Sequence, residues 1–147
     1  MNSNANAWAE LFRQLAFTSA LVAGFAIAFV GVLITTNSPS RIVGWTAGVS
    51  MAAAAGMVVC VLGWTLGASV IALESSQAVA PEAFRLPDRL LRMHLYLSQV
   101  FIFSLFLFLG GLGLSGWVRS RALGIVSTIV AVVALIASLL VLLPFIH

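Results

Sequence analysis

Residues 15–35 read LAFTSALVAGFAIAFVGVLIT, a stretch without a single ionisable side chain. A bilayer core about 30 Å thick is crossed by roughly 20 apolar residues in helical form, so this segment has the length and chemistry of a membrane span. Working outward, the turn-forming run Thr36-Asn37-Ser38-Pro39-Ser40 ends it, and three more apolar runs follow at 42–73, 93–118 and 122–143, the last stopped by Pro144. Across the 147 residues, 62% are hydrophobic and 7% charged, with a mean hydropathy of +1.15. Soluble domains carry about 25% charged residues, so eleven charges cannot clothe this chain in water, and disorder needs far lower hydrophobicity. The expected fold class is all-α: a polytopic membrane protein of four transmembrane helices forming one domain over 1–147. Spans one and two, and three and four, are joined by short connections and pair as antiparallel hairpins. The polar linker 74–92 separates the two pairs and holds three of the four acids and three of the seven Arg.

The second run is too long for its task. Its 32 residues make a helix of about 48 Å, so it either projects toward the linker, the reading favoured here, or breaks at Gly63 or Gly67. Trp8, Trp45 and Trp117 lie near span ends as interfacial belts do, and projection would put Trp64 at such a level too. Before span one, residues 7–14 place Trp8, Leu11, Phe12 and Leu15 on one face and predict a short interfacial helix. The segment lacks the basic start and short apolar core of a cleavable signal peptide. Counting Arg residues on either side of the bilayer gives four against three, a slight bias for cytoplasmic termini. A plasma or bacterial inner membrane is the expected location, and seven Arg without any Lys suggest a GC-rich bacterial genome.

Small residues recur at every fourth position: Ala16, Ala20, Gly24 and Ala28 on span one, and Gly44, Gly48, Ala52, Gly56 and Cys60 on span two. Lipid supplies no hydrophobic drive for helix association, so shallow strips that let backbones approach are the expected helix-packing elements. The two strips are expected to pack on each other in the hairpin, with Cys60 a small packing residue. Span three is bulky with Phe and lightened near its end by Gly110, Gly111, Gly113 and Gly116. Span four is nearly all Val, Leu, Ile and Ala, as an outer, lipid-facing helix would be.

Reactive chemistry is sparse. No Asp, Glu, Lys or Arg lies at membrane depth, which argues against a proton- or sodium-coupled transporter. His94 and His147 make no zinc site without further ligands; His94 reads as an interfacial polar residue. Glu82 and Asp88 are expected on a solvated charged face, with pairing to Arg85, Arg89 or Arg92 on a short linker helix as the alternative, and Ser98, Gln99 and Ser104 to offer interhelical hydrogen bonds. There is no nucleophile–base pair and no phosphate loop, so neither an enzyme nor a cofactor site is expected. The scattered Arg residues form no nucleic-acid patch.

The run Thr18-Ser19-Ala20-Leu21-Val22-Ala23-Gly24-Phe25-Ala26 resembles the first transmembrane helix of the Orai family of store-operated calcium channels. Trp8-Ala9-Glu10-Leu11-Phe12 resembles that family's upstream Trp-x-x-Leu-Tyr, and Arg92-Met93-His94 its Arg-Met-His at the start of span three. By motif the resemblance touches about a quarter of the chain; four spans, an extended second span and a polar linker are shared as well. It implies a homo-oligomeric ring of six subunits with span one lining a central pore. Leu21 and Phe25 then fall at hydrophobic pore positions, Gly24 at a hinge glycine and Ala28 at a gating valine. Val32, beside Gly31, stands where the family has its selectivity glutamate, and the basic inner pore shrinks to Arg13. Without a ring of hard oxygen ligands a calcium filter cannot form.

Helical spacing independently groups Arg13, Phe17, Leu21, Phe25, Ala28 and Val32 into one stripe. Facing an axis, that stripe makes an apolar pore that dewets and stays shut. The reading is therefore a homo-oligomeric, channel-like membrane protein with span one innermost and no calcium selectivity, its partners the lipid bilayer and its own copies. Two alternatives stand beside it. One is a scaffold or accessory subunit whose linker 74–92 docks a cytoplasmic partner; the other is a membrane-perturbing effector of a bacterial defence or stress system.

Overall fold

A computed structural model describes residues 3–35, 41–77, 87–119 and 121–142, all helical except Pro87. The elements are α1 (Ser3–Thr35), α2 (Arg41–Gln77), α3 (Asp88–Arg119) and α4 (Arg121–Leu142). Three apolar stretches, Asn4–Thr35, Arg41–Ser76 and Asp88–Trp117, are long and apolar enough to cross a membrane. The turn 36–40, linker residues Glu82 and Arg85, Pro144 and His147 lie outside the described residues.

One expectation about continuity is corrected. Residues 7–14 are not a separate helix; they are early turns of α1, because no helix breaker separates Ala5 from Leu15. α2 does not take the alternative of a break at Gly63 or Gly67: it runs through 37 residues, about 55 Å at the helical rise. Those glycines serve close approach instead. A Cβ on Gly63 would stand 2.6 Å from Leu97 Cδ1, and one on Gly67 2.5 Å from Phe12 Cε1 and 2.8 Å from Met93 Cε.

Contacts group the chain into two compact units, Met1–Gly24 with Ala55–Ile102, and Phe25–Ala54 with Phe103–His147. In the first, α1 runs antiparallel to α2, and α2 antiparallel to α3, around Phe12, Cys60, Trp64, Ile71, Leu90 and Leu97. The Cys60 thiol donates to the Leu97 carbonyl at 3.4 Å, and the Arg89 guanidinium bonds the Glu74 carboxylate across the α2–α3 pair. In the second unit, α3 and α4 form a close antiparallel hairpin. Gly113 would bring a Cβ within 3.2 Å of the Ala131 Cβ, Ser127 Oγ donates to the Gly113 carbonyl at 2.8 Å, and Trp117 Nε1 donates to Thr128 Oγ1 at 3.0 Å.

The buried positions follow a seven-residue rhythm. On α1 they are Ala5, Ala9, Phe12, Ala16, Ser19, Ala23, Ala26, Val30 and Leu33, at steps of four and three in alternation. On α2, Thr46, Ser50, Ala53, Met57, Cys60, Trp64, Gly67 and Ile71 keep the same steps, and on α3 Leu90, Leu97, Ser104 and Gly111 fall seven apart. A 3.5-residue repeat keeps one seam facing a neighbouring helix over many turns. Half of these α1 and α2 positions are Ala, Gly or Ser, the shallow side chains that dispersion-driven packing in lipid requires.

Candidate functional site on the exposed face of α1

All six residues of the proposed stripe are exposed on α1. Phe17 and Phe25 each keep 67% of their surface and Val32 62%; Arg13, Leu21 and Ala28 are exposed with them. At about 100° per residue, the stripe is not a line but fans over roughly 120°, with Arg13 at one edge and Phe25 at the other. Its centre lies roughly 160° from the buried seam, on the far side of the helix. Within each unit, the described residues therefore leave their part of the stripe uncovered.

The helix-packing residues are placed differently from expectation. Ala20, Gly24, Gly44, Gly48 and Ala52 are exposed and Gly56 is half-buried. A Cβ on Gly24, Gly44 or Gly48 would meet nothing within 4 Å, so these glycines make no close helix contact among the described residues. The reason is geometric. Residues four apart advance about 400°, so a strip of fourth positions drifts some 40° per step and spirals off the contact line. Cys60 and Ala16, at the strips' ends, are buried in the seam, while the members four, eight and twelve residues away have rotated out of it.

The N-terminal half of the α1 face is polar. Arg13 Nη1 lies 3.7 Å from Glu10 Oε2, Gln14 Nε2 donates to Glu10 Oε1 at 3.4 Å, and the Thr18 hydroxyl donates to the Gln14 carbonyl at 2.9 Å. Arg13 also borders two cavities between α1 and α2. One, of about 680 Å³, is lined by Asn6, Ala9, Glu10, Ser75 and Ser76; the other, of about 480 Å³, by Ala16, Thr65, Ala68 and Ser69. The hydroxyls of Thr65 and Ser69 are satisfied by carbonyls of their own helix at 2.7 and 2.9 Å.

Sequence reasoning missed the aromatic cluster around His94. This imidazole is half-buried, with its ring centroid 5.4 Å from Phe12, 6.4 Å from Trp8 and 6.5 Å from Trp64. Trp64 is 1% exposed, with its ring tilted against Phe101 at a centroid distance of 5.6 Å; it is a core residue, not part of an interfacial belt. Among the described residues, Trp64 Nε1 and His94 Nδ1 are buried without a hydrogen-bond partner. The available signal was the seven-residue spacing of Leu90, Leu97 and Ser104, which turns His94 toward the seam. Ser98 donates to the His94 carbonyl of its own helix at 2.8 Å rather than to another helix. Among the described linker charges, Arg89 meets Glu74 rather than Asp88.

Among the described residues no three His, Cys, Asp or Glu side chains gather as a metal site would require. Comparisons with protein-family models, characterised proteins and solved structures give no match. The geometry of the chain is thus the whole basis for a functional reading.

Proposed function

We propose that this chain is an integral membrane protein whose four helices all cross the bilayer, and that its copies assemble around α1 to form a channel-like, homo-oligomeric bundle without calcium selectivity. The observation that carries the reading is the exposed face of α1, which mixes large apolar residues with small ones. α1 exposes Phe17, Leu21 and Phe25, with Arg13 and Gln14 at the entrance to the span. α4 exposes Leu123, Ile125, Val126, Ile129, Val130, Val132, Val133 and Ile136, with Thr128 among them and Arg121 at its start, a surface suited to lipid tails. Ala20, Gly24, Ala28 and Gly31 on the same exposed side allow the close helix approach that a central bundle needs.

In such an assembly Phe25, Ala28 and Val32 form an apolar constriction that resists wetting, and Arg13 marks one mouth. The barrier is hydrophobic, so it gates by dewetting and carries no acid that would select a divalent cation. The test is subunit number and position by cryo-electron microscopy in lipid nanodiscs, paired with ion flux from liposomes. A closed ring with α1 innermost is expected, and Phe25→Ser should wet the axis and raise the leak. A monomer, or α1 on the perimeter, refutes the reading and favours a scaffold that works through linker 74–92.

A further inference from the structure

An open groove runs along the first turns of α2 in the second unit. Its cavity of about 500 Å³ is lined by Arg41, Gly44, Trp45, Gly48, Ala52 and Leu107. Gly44, Gly48 and Ala52 form a smooth floor, and nothing within 4 Å stands over the two glycines. Trp45, 73% exposed, and Leu107 rise as walls. Arg41, the first residue of α2, closes one end; among the described residues no carboxylate pairs with it. An apolar trough therefore ends at a guanidinium without a carboxylate partner among the described residues.

We propose that this groove holds a phospholipid of the surrounding membrane, with one acyl chain along Gly44, Gly48 and Ala52 and the phosphate on Arg41. The inference rests on the membrane-spanning part of the functional reading and not on the ring. Two features select this occupant. The floor from Gly44 to Ala52 covers nine residues, about 12 Å at the helical rise, close to one leaflet of a core about 30 Å thick. The charge is also correctly placed. Arg41 and Trp45 lie at the start of the span, the level at which Arg and Trp meet headgroups, and a guanidinium takes phosphate oxygens in a bidentate pair. The positive charge favours an anionic headgroup over a zwitterionic one.

Native mass spectrometry of the full chain, released from nanodiscs of palmitoyl-oleoyl phosphatidylglycerol or the matching phosphatidylcholine, tests the assignment and reads subunit number at the same time. The wild type is expected to retain lipid with a preference for phosphatidylglycerol. Gly48→Leu, whose side chain enters open space in the folded chain, should abolish retention of both lipids. Arg41→Gln should keep the acyl chain bound but lower the phosphatidylglycerol preference about tenfold, the worth of one charge-assisted contact. Lipid retention unaffected by Gly48→Leu, no lipid on the wild type, or an undiminished headgroup preference in Arg41→Gln overturns the proposal. So does a drop in subunit number with Gly48→Leu, which would mean that a second copy fills the groove. A monomer that still shows the expected lipid pattern refutes the ring alone and leaves the lipid site standing.

Discussion

Gly67→Ala sets two effects of one methyl group against each other. Within a helix, Ala is favoured over Gly by about 0.5–1 kcal/mol because less backbone entropy is lost. At Gly67, however, the new Cβ would stand 2.5 and 2.6 Å from Cε1 and Cδ1 of Phe12 and 2.8 Å from Met93 Cε. Comfortable carbon–carbon contacts are about 3.5–4.0 Å, so the ring must retreat by about 1 Å. It has nowhere to go: Phe12 is wholly buried and its other side is held against His94. Overpacking of this kind costs about 1–3 kcal/mol, which outweighs the propensity gain and leaves a net loss of about 1 kcal/mol. The assay is equilibrium unfolding in mixed micelles, titrated with sodium dodecyl sulfate and followed by circular dichroism. Gly110→Ala serves as the control, since a Cβ there meets nothing within 4 Å and only the gain remains. Phe12→Leu should relieve the clash, so that the double variant with Gly67→Ala is more stable than additivity predicts by about 1 kcal/mol. A Gly67→Ala protein as stable as its parent, or more so, would refute the close packing of α1 on α2.

Three further outcomes are expected. Cys60, fully buried with its thiol on the Leu97 carbonyl, should resist a maleimide in the folded protein and label fully after unfolding; rapid labelling of the native form would contradict the α2–α3 seam. Thr128→Val removes the acceptor of the Trp117 indole and should cost about 0.6 kcal/mol, the mean for hydrogen bonds between membrane helices, measured by the same titration. Glu74→Gln removes the charge from the bond to Arg89, whose side chain is 70% exposed, so the loss should stay below about 1 kcal/mol; a loss several times larger would mean that the α2–α3 junction is less solvated than its geometry indicates.

The extent of the helices was readable without coordinates, to within a few residues at most ends, because apolar composition and helix-breaking runs such as Asn37-Ser38-Pro39 are local properties. The early turns of α1 were misjudged for a related reason, and for α2 the sequence left a break at its glycines as the lesser of two readings. Glycine weakens a helix locally, but Gly63 and Gly67 are held by Leu97 on α3, and by Phe12 on α1 and Met93 on α3, partners distant in sequence.

Which side of each helix packs inward could not be read from spacing alone. The chain offers two superimposed rhythms, small residues at every fourth position and a seam at alternating fours and threes, and both look like interfaces in a string of letters. Only the second stays in register with an antiparallel neighbour, because 3.5 residues per turn follows a supercoiled partner while steps of four rotate away. That geometric choice buries Trp64 and surrounds His94 with rings, and it sends Phe17, Phe25, Gly44 and Gly48 to the outside. Composition specified four apolar helices; the mutual register of those helices decided which residues are left for lipid and for other copies of the chain.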